Sequence, residues 1–168
     1  MKFLPKEWFT AGKARNSWVT TSDYSLTKSN FFRQKYVKRI YTNIEQDTEN
    51  NDFFRKVIFT AKNSQLVLMT LKPLEEIGEE AHNNLDQFFR FEKGTGKVVL
   101  EVEEFEVKDG FAAVVPAGTK HNIINTSPSE PLKLYTIYSP PNHKDATVHE
   151  TKEIAENANE HFDGETSF

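Results

Sequence analysis

Gly110, five residues, Pro116, one residue, Gly118, two residues, His121, three residues, Asn125 is the spacing in this chain that best lends itself to chemistry. Gly110 completes one tight turn, Pro116-Ala117-Gly118 makes a second, and the chain then enters a strand at Lys120. Alternation puts His121 and Asn125, four residues apart, on one face of that strand. An imidazole fixed on a strand is a transition-metal ligand or a proton carrier, and a hydrogen-bonded core histidine is the plainer use of the same residue. The other four histidines are His82, His143, His149 and His161. His143 follows Ser139-Pro140-Pro141-Asn142, a segment able to border a cavity mouth, whereas His149 and His161 fall in a polar carboxy-terminal stretch and read as surface residues. Ser and Thr are plentiful, but no Gly-x-Ser-x-Gly elbow and no Gly-rich phosphate loop is present. Cys is 0, which removes thiolate nucleophiles and disulfides. The acidic run Glu101 to Glu106 alternates Glu with Val and Phe and reads as a solvated hairpin turning at Glu103-Glu104, not as a cation site.

Short β-branched or aromatic runs must position these groups. They cover Phe53 to Thr60, Gln65 to Leu71, Gln87 to Phe91, Lys97 to Val102, Phe111 to Val115, His121 to Asn125 and Leu132 to Tyr138. Gly94-Thr95-Gly96, Asp109-Gly110 and Ser127-Pro128-Ser129 mark turns between them, and the spacing predicts an all-β sandwich or barrel. After the Pro-rich segment, Thr147 to about His161 reads as one polar surface helix opened by a Thr147-x-x-Glu150 capping box. The organisation is thus an extension over 1–39, a barrel over 40–146 and a helix with tail over 147–168.

The second motif of the cupin family is similar to the segment Gly110 to Asn125. About 30 residues upstream an edited first motif follows, in which Glu80, Ala81, His82, four residues, Gln87, six residues, Gly94 align with the family's His, one residue, His, Glu and Gly. Glu80 replaces the usual first His and Gln87 the usual Glu. The resemblance runs over roughly Tyr41 to His149, and GEEAHNNLDQFFRF resembles a branch likened to mannose-6-phosphate isomerase. It implies a cupin double-stranded β-helix, a jelly-roll barrel carrying the amino-terminal extension and the carboxy-terminal surface helix, with a metal held inside by Glu80, His82, Gln87 and His121. Two imidazoles and a carboxylate bind a divalent transition metal with positions open for substrate, and Gln87 adds a weak neutral ligand. The donor types admit Zn, Mn, Fe or Ni without choosing among them.

Strand parity outlines the ligand chamber. An inward Gln87 brings Phe89 and Phe91 inward, and an inward His121 brings Ile123 and Asn125. Phe89, Phe91, Asn125 and Tyr138 are the expected substrate contacts, and Glu80 is the expected catalytic proton shuttle. No Lys or Arg is aimed at the chamber, although Lys133, Tyr135 and Tyr138 lie on a strand whose parity is open. The function expected is a metal-dependent cupin acting on a small organic substrate, isomerase- or epimerase-like. The alternatives are an Fe(II)-dependent dioxygenase and a non-enzymatic ligand-binding or structural barrel.

Composition bounds the rest. With 168 residues, 37% hydrophobic, the chain is long enough for one well-filled domain. The net charge of -4 divides unevenly, because residues 1–39 carry nine basic groups against two acids while the remainder balances at -11. An acidic body repels phosphate backbones, so nucleic acid is not an expected partner. Nor is a membrane, since mean hydropathy is -0.64 and no long apolar run occurs. A cytoplasmic homodimer is expected. The aromatic, basic extension reads as a docking arm before it reads as a targeting peptide.

Overall fold

The computed structural model describes residues 39–168, so expectations about the extension fall almost wholly outside the described residues. Among the described residues nine strands form two antiparallel sheets. They are β1 (Arg55–Thr60), β2 (Gln65–Leu71), β3 (Asp86–Lys93), β4 (Thr95–Leu100), β5 (Glu103–Lys108), β6 (Ala112–Val115), β7 (His121–Asn125), β8 (Leu132–Ser139) and β9 (Val148–His149). One sheet runs β6-β3-β8-β2-β1-β9 and the other β5-β4-β7. The expected all-β jelly roll is therefore what the chain forms, and β2 and β7 carry the boundaries read from the sequence.

Period-two burial explains the packing. Val67, Met69 and Leu71 on β2, Phe89 and Phe91 on β3, Leu132 and Leu134 on β8, Val98 on β4 and Ile123 on β7 meet between the sheets, nearly all shielded from solvent. Side chains of opposite parity face outward. Lys133, left open by the sequence, is one of these. Its Nζ donates to the carbonyls of Glu49 and Asn51 and to Asp52 on the outer face, at 2.6, 2.7 and 3.0 Å, so it does not reach the chamber. The acceptors at Glu49 and Asn51 belong to the helix α1 (Ile44–Glu49) and its exit. That helix was not read from the sequence, although Asn43 caps it by accepting from the Gln46 backbone N–H.

The other strands shift by one or two residues at their ends, and two differences from the sequence reading go further. The turn in the acidic run falls at Glu101-Val102, with Leu100 paired to Glu103, so Glu103-Glu104 lies in β5. Glu101 adopts a left-handed φ of 54°, and it is tied to the entry of β7 by its N–H to the Lys120 carbonyl and by its carboxylate accepting from the Lys120 N–H. The expected helix from Thr147 is shorter and starts later, as α2 (Lys152–Asn157) capped by Thr151. The reason is that Val148 and His149 are used to pair with Lys56 and Arg55 at the outer edge of β1. His149 is consequently buried, against the surface position expected for it. Beyond α2 the tail returns across the barrel: Phe162 N–H donates to the Asn142 carbonyl, Ser167 N–H to the Thr60 carbonyl, and Phe168 stacks on Phe59 at 6.2 Å.

Candidate metal centre

Backbone pairing brings the ligand candidates together before any side chain contributes. Glu80 and His121 exchange both backbone hydrogen bonds across an isolated bridge, at 3.0 and 2.9 Å. The Gly118 N–H donates to the His82 carbonyl at 2.9 Å, so the turn of the second motif clamps the residue of the first. That turn needs Gly118, whose φ of 84° is strained for any residue with a Cβ. Gln87 enters from β3, facing inward with Phe89 and Phe91 as parity predicted.

The atoms converge from three elements. One ligand atom each of Glu80, His82 and His121 lies within 4.8 Å of the others. Glu80 Oε1 is 3.6 Å from His82 Nε2 and 3.6 Å from His121 Nε2. Gln87 Oε1 is 3.1 Å from the same His121 nitrogen, while its amide nitrogen donates to Thr136 Oγ1 and so fixes the carbonyl end toward the imidazole. His121 Nδ1 faces the Thr119 carbonyl at 3.0 Å and must be its donor. In the neutral ring that leaves a lone pair on Nε2 facing two oxygen acceptors. A cation at this point, proton or metal, removes the conflict.

The donor set fits a divalent metal. Ligands about 2.1 Å from one ion stand roughly 3.0 to 3.4 Å apart, close to the spacings found. Glu80 Oε1 and His82 Nε2 are buried atoms with no hydrogen-bond partner among the described residues, as expected of groups aimed at an ion. Burial pushes the Glu80 carboxyl upward, but the His121 and His82 imidazoles 3.6 Å away outweigh it and hold the group at about 2. Burial opposes the charging of His121, yet Glu80 and the Thr119 carbonyl raise its pKa overall.

A model of the cupin domain matches residues 67–138, which contain all four ligand candidates. The crystal structure of BH2720 from Bacillus halodurans is 43% identical, covers 74% of this chain and 98% of its own, and superposes with a TM-score of 0.70. The chain belongs to the cupin superfamily. Two curated relatives are uncharacterized proteins. YrkC of Bacillus subtilis (strain 168) is 48% identical over 121 residues, covering 68% of this cupin and 64% of the relative. L612 of Acanthamoeba polyphaga mimivirus is 47% identical over 105 residues, covering 60% and 65%. The matches thus span just under two thirds of each of these relatives.

The remaining site expectations divide. Tyr138 faces inward and is buried, its ring edge-on to His82 at 5.9 Å and to His143 at 5.1 Å. Phe89 lies beneath His121, 5.9 Å between ring centroids, and is fully enclosed in the core with Phe91. Asn125, expected to touch the ligand, is bonded to the backbone of neighbouring loops instead. Its amide nitrogen donates to the Leu71, Lys72 and Glu130 carbonyls and its oxygen accepts from the Ser127 N–H, so every polar group is used to join loops about 13 Å down the strand from His121.

Four polar groups were missed or discounted by the sequence reading. His143, expected in a loop able to border the cavity mouth, is buried and bonded through Nδ1 to Glu160 Oε1 at 2.8 Å. Burial and the Arg55 charge keep its pKa below the ordinary histidine value despite Glu160. Glu160 is pushed up by burial but held at about 2 by His143 and the Lys144 N–H. Arg55 lies opposite Met69 on the interior side of β1, which corrects the expectation that no Arg or Lys faces inward. His149, its partner across β9, faces the same way. Parity from Val57 back to Arg55 was a signal available in the sequence; the contacts of the returning tail were not.

Among the described residues no helix is long and apolar enough to cross a membrane.

Proposed function

We propose that this cupin is a divalent-metal-dependent enzyme acting on a small organic substrate by isomerase- or epimerase-like chemistry. The observation that carries the reading is the convergence of Glu80, His82 and His121 around two buried atoms that lack partners among the described residues. Glu80, His82 and His121 would hold the metal, with Gln87 beside them, and the metal would polarise a substrate oxygen as a Lewis acid. The likeness of GEEAHNNLDQFFRF to the branch compared with mannose-6-phosphate isomerase is in keeping with this class of reaction.

The residues suggest how a proton would move. Glu80, at about 2, is a weak proton acceptor near neutrality, so its charge suits metal binding better than the shuttle role expected of it. His143 is the better base. Its pKa is lowered, Glu160 holds its Nδ1–H, and its Nε2 carries the lone pair, with the Asn142 amide nitrogen 3.5 Å away. Tyr138, its phenol pushed well above the ordinary value by burial and the Glu80 charge, stays protonated and acts as a donor or a wall.

A second reading, an Fe(II)-dependent dioxygenase, is favoured by one feature, the set of two imidazoles and one carboxylate. Elemental analysis of the purified chain beside a His121→Ala variant tests the centre itself. A near-stoichiometric metal lost in the variant supports it, and no metal after reconstitution would leave a ligand-binding barrel. Turnover retained with zinc or manganese under anaerobiosis supports isomerase chemistry; oxygen consumption with bound iron supports the second reading. The assembly proposed is a homodimer through the outer face of β3 and β8, where Phe88 and Tyr135 pack at 6.1 Å. A monomer in sedimentation at high micromolar concentration overturns it.

A further inference from the structure

Five buried side-chain atoms lack a hydrogen-bond partner among the described residues, and Arg55 Nε and His149 Nδ1 are two of them. Neither belongs to the metal centre. Arg55 and His149 are cross-strand neighbours on β1 and β9, their side chains on one side of the sheet, with Met69 of the core beside Arg55. His149 is only 6% exposed. The guanidinium carbon of Arg55 lies 5.7 Å from the Phe54 ring centroid, which supports one side of the cation and supplies no acceptor. The obvious internal acceptor, Glu160, is instead bonded to His143 and the Lys144 N–H.

The two ends of the chamber are electrostatically connected. Tyr138 stands 5.9 Å from His82 and 5.1 Å from His143, ring centroid to ring centroid, and Tyr138 and His143 each feel the negative charge of Glu80 and the positive charge of Arg55. A guanidinium drawn inward with an unused N–H is costly unless an anion completes it, and a planar carboxylate matches its fork. His149, held neutral by burial and by the Arg55 charge, adds an N–H donor without a second positive charge. With a divalent metal bound, Glu80 and Glu160 ionised and Arg55 charged, the chamber carries one net positive charge. That favours a monoanion over a dianionic phosphate.

We infer that Arg55 and His149 form a subsite for the carboxylate of a small organic acid whose other end lies at Glu80, His82 and His121. The inference rests on the metal-centre reading for the second half of this statement only. It replaces a general small organic substrate with a monocarboxylate bearing an oxygen donor at its far end.

The test measures thermal shift and calorimetric binding of 6-hydroxyhexanoate, hexanoate and inorganic phosphate to the full chain, both metal-loaded and chelated. The variants are Arg55→Gln, Arg55→Lys and His149→Gln, each also analysed for metal content. Expected is saturable carboxylate binding that persists in the chelated protein, is weakened about tenfold or more by Arg55→Gln, and is partly kept by Arg55→Lys. Metal content stays at the wild-type level in the three variants. 6-Hydroxyhexanoate binds the loaded protein more tightly than hexanoate does. Carboxylate binding unchanged in Arg55→Gln, binding that disappears on chelation, or a preference for phosphate would each overturn the inference. A chain that binds carboxylate but never metal would overturn the metal centre and leave the Arg55 subsite standing. If Arg55→Gln fails to fold, the Arg55→Lys and His149→Gln variants decide by the same comparison.

Discussion

Glu80 shows how little residue identity says without its surroundings. Standing where the cupin motif usually has a His, it brings a negative charge into contact with two imidazoles, and a neutral ligand site becomes one that attracts cations. Glu80→Gln keeps the shape and removes the charge, so metal affinity is expected to fall by about a hundredfold or more, read by competition with a fluorescent chelator. Gln87→Leu is expected to weaken it less, by about tenfold, because a neutral amide is a poor donor. The chelated protein carries its own pH signature. The Glu80 carboxyl is depressed to about 2, so its contribution is complete above the unfolded value near 4.5 and is lost as pH falls toward 2. The His121 pKa is raised, so its contribution is complete below the unfolded value near 6.5 and is lost as pH rises through the folded one. The contribution of this pair to the stability of the metal-free chain is expected to be greatest between about 4.5 and 6.5, and the difference between wild-type and Glu80→Gln thermal melts across pH isolates it. Glu80→Gln should flatten both limbs.

Among the elements, β7 links two jobs. His121 at its start faces the centre, and Asn125 at its end ties three carbonyls together. Both were legible as inward-facing from period-two alternation. Their difference in role was not, because it depends on which loops lie at each end of the strand. Asn125→Ala is expected to cost about 1 to 3 kcal/mol, since buried carbonyls lose their donor, while leaving metal content unchanged. Denaturant unfolding beside elemental analysis separates the two roles, and loss of metal in a folded Asn125→Ala protein would contradict this assignment. Gly96 on β4 offers a second case. A Cβ there would stand 2.5 Å from the Ile124 carbonyl oxygen and 2.7 Å from a Leu132 methyl, so Gly96→Ala is expected to destabilise through a clash, with no compensating freedom in the backbone.

At the scale of the whole molecule, the carboxy-terminal tail is tied back onto the barrel. Ser167 donates to the Thr60 carbonyl, accepts from the Thr60 N–H and bonds Asp145, while Glu160 orients His143. A chain ending after Ala158 is expected to melt on the order of 10 °C lower by differential scanning calorimetry, and to release the buried His143 to ordinary imidazole titration in NMR. A full-height melting temperature in the truncated chain would show that the tail is only laid on the surface.

Local physics sufficed for the strands, the turns at Gly110 and Gly118, the inward parity of Gln87 and His121, and the cupin resemblance, because alternation and turn chemistry act over a few neighbouring residues. Local signals also misplaced the carboxy terminus. Thr147-x-x-Glu150 and Thr151 both offer a helix start, and the choice fell to Thr151 because Val148 and His149 pair with the β1 edge, a hydrogen-bond demand from more than 90 residues away. The same tertiary pairing turned His149 inward beside Arg55, and the returning tail set Glu160 against His143. The sequence alone determined which residues could bind a metal. Only the folded chain decided which charges would share the chamber with it, because charge proximity in a barrel is set by strand register and not by distance along the chain.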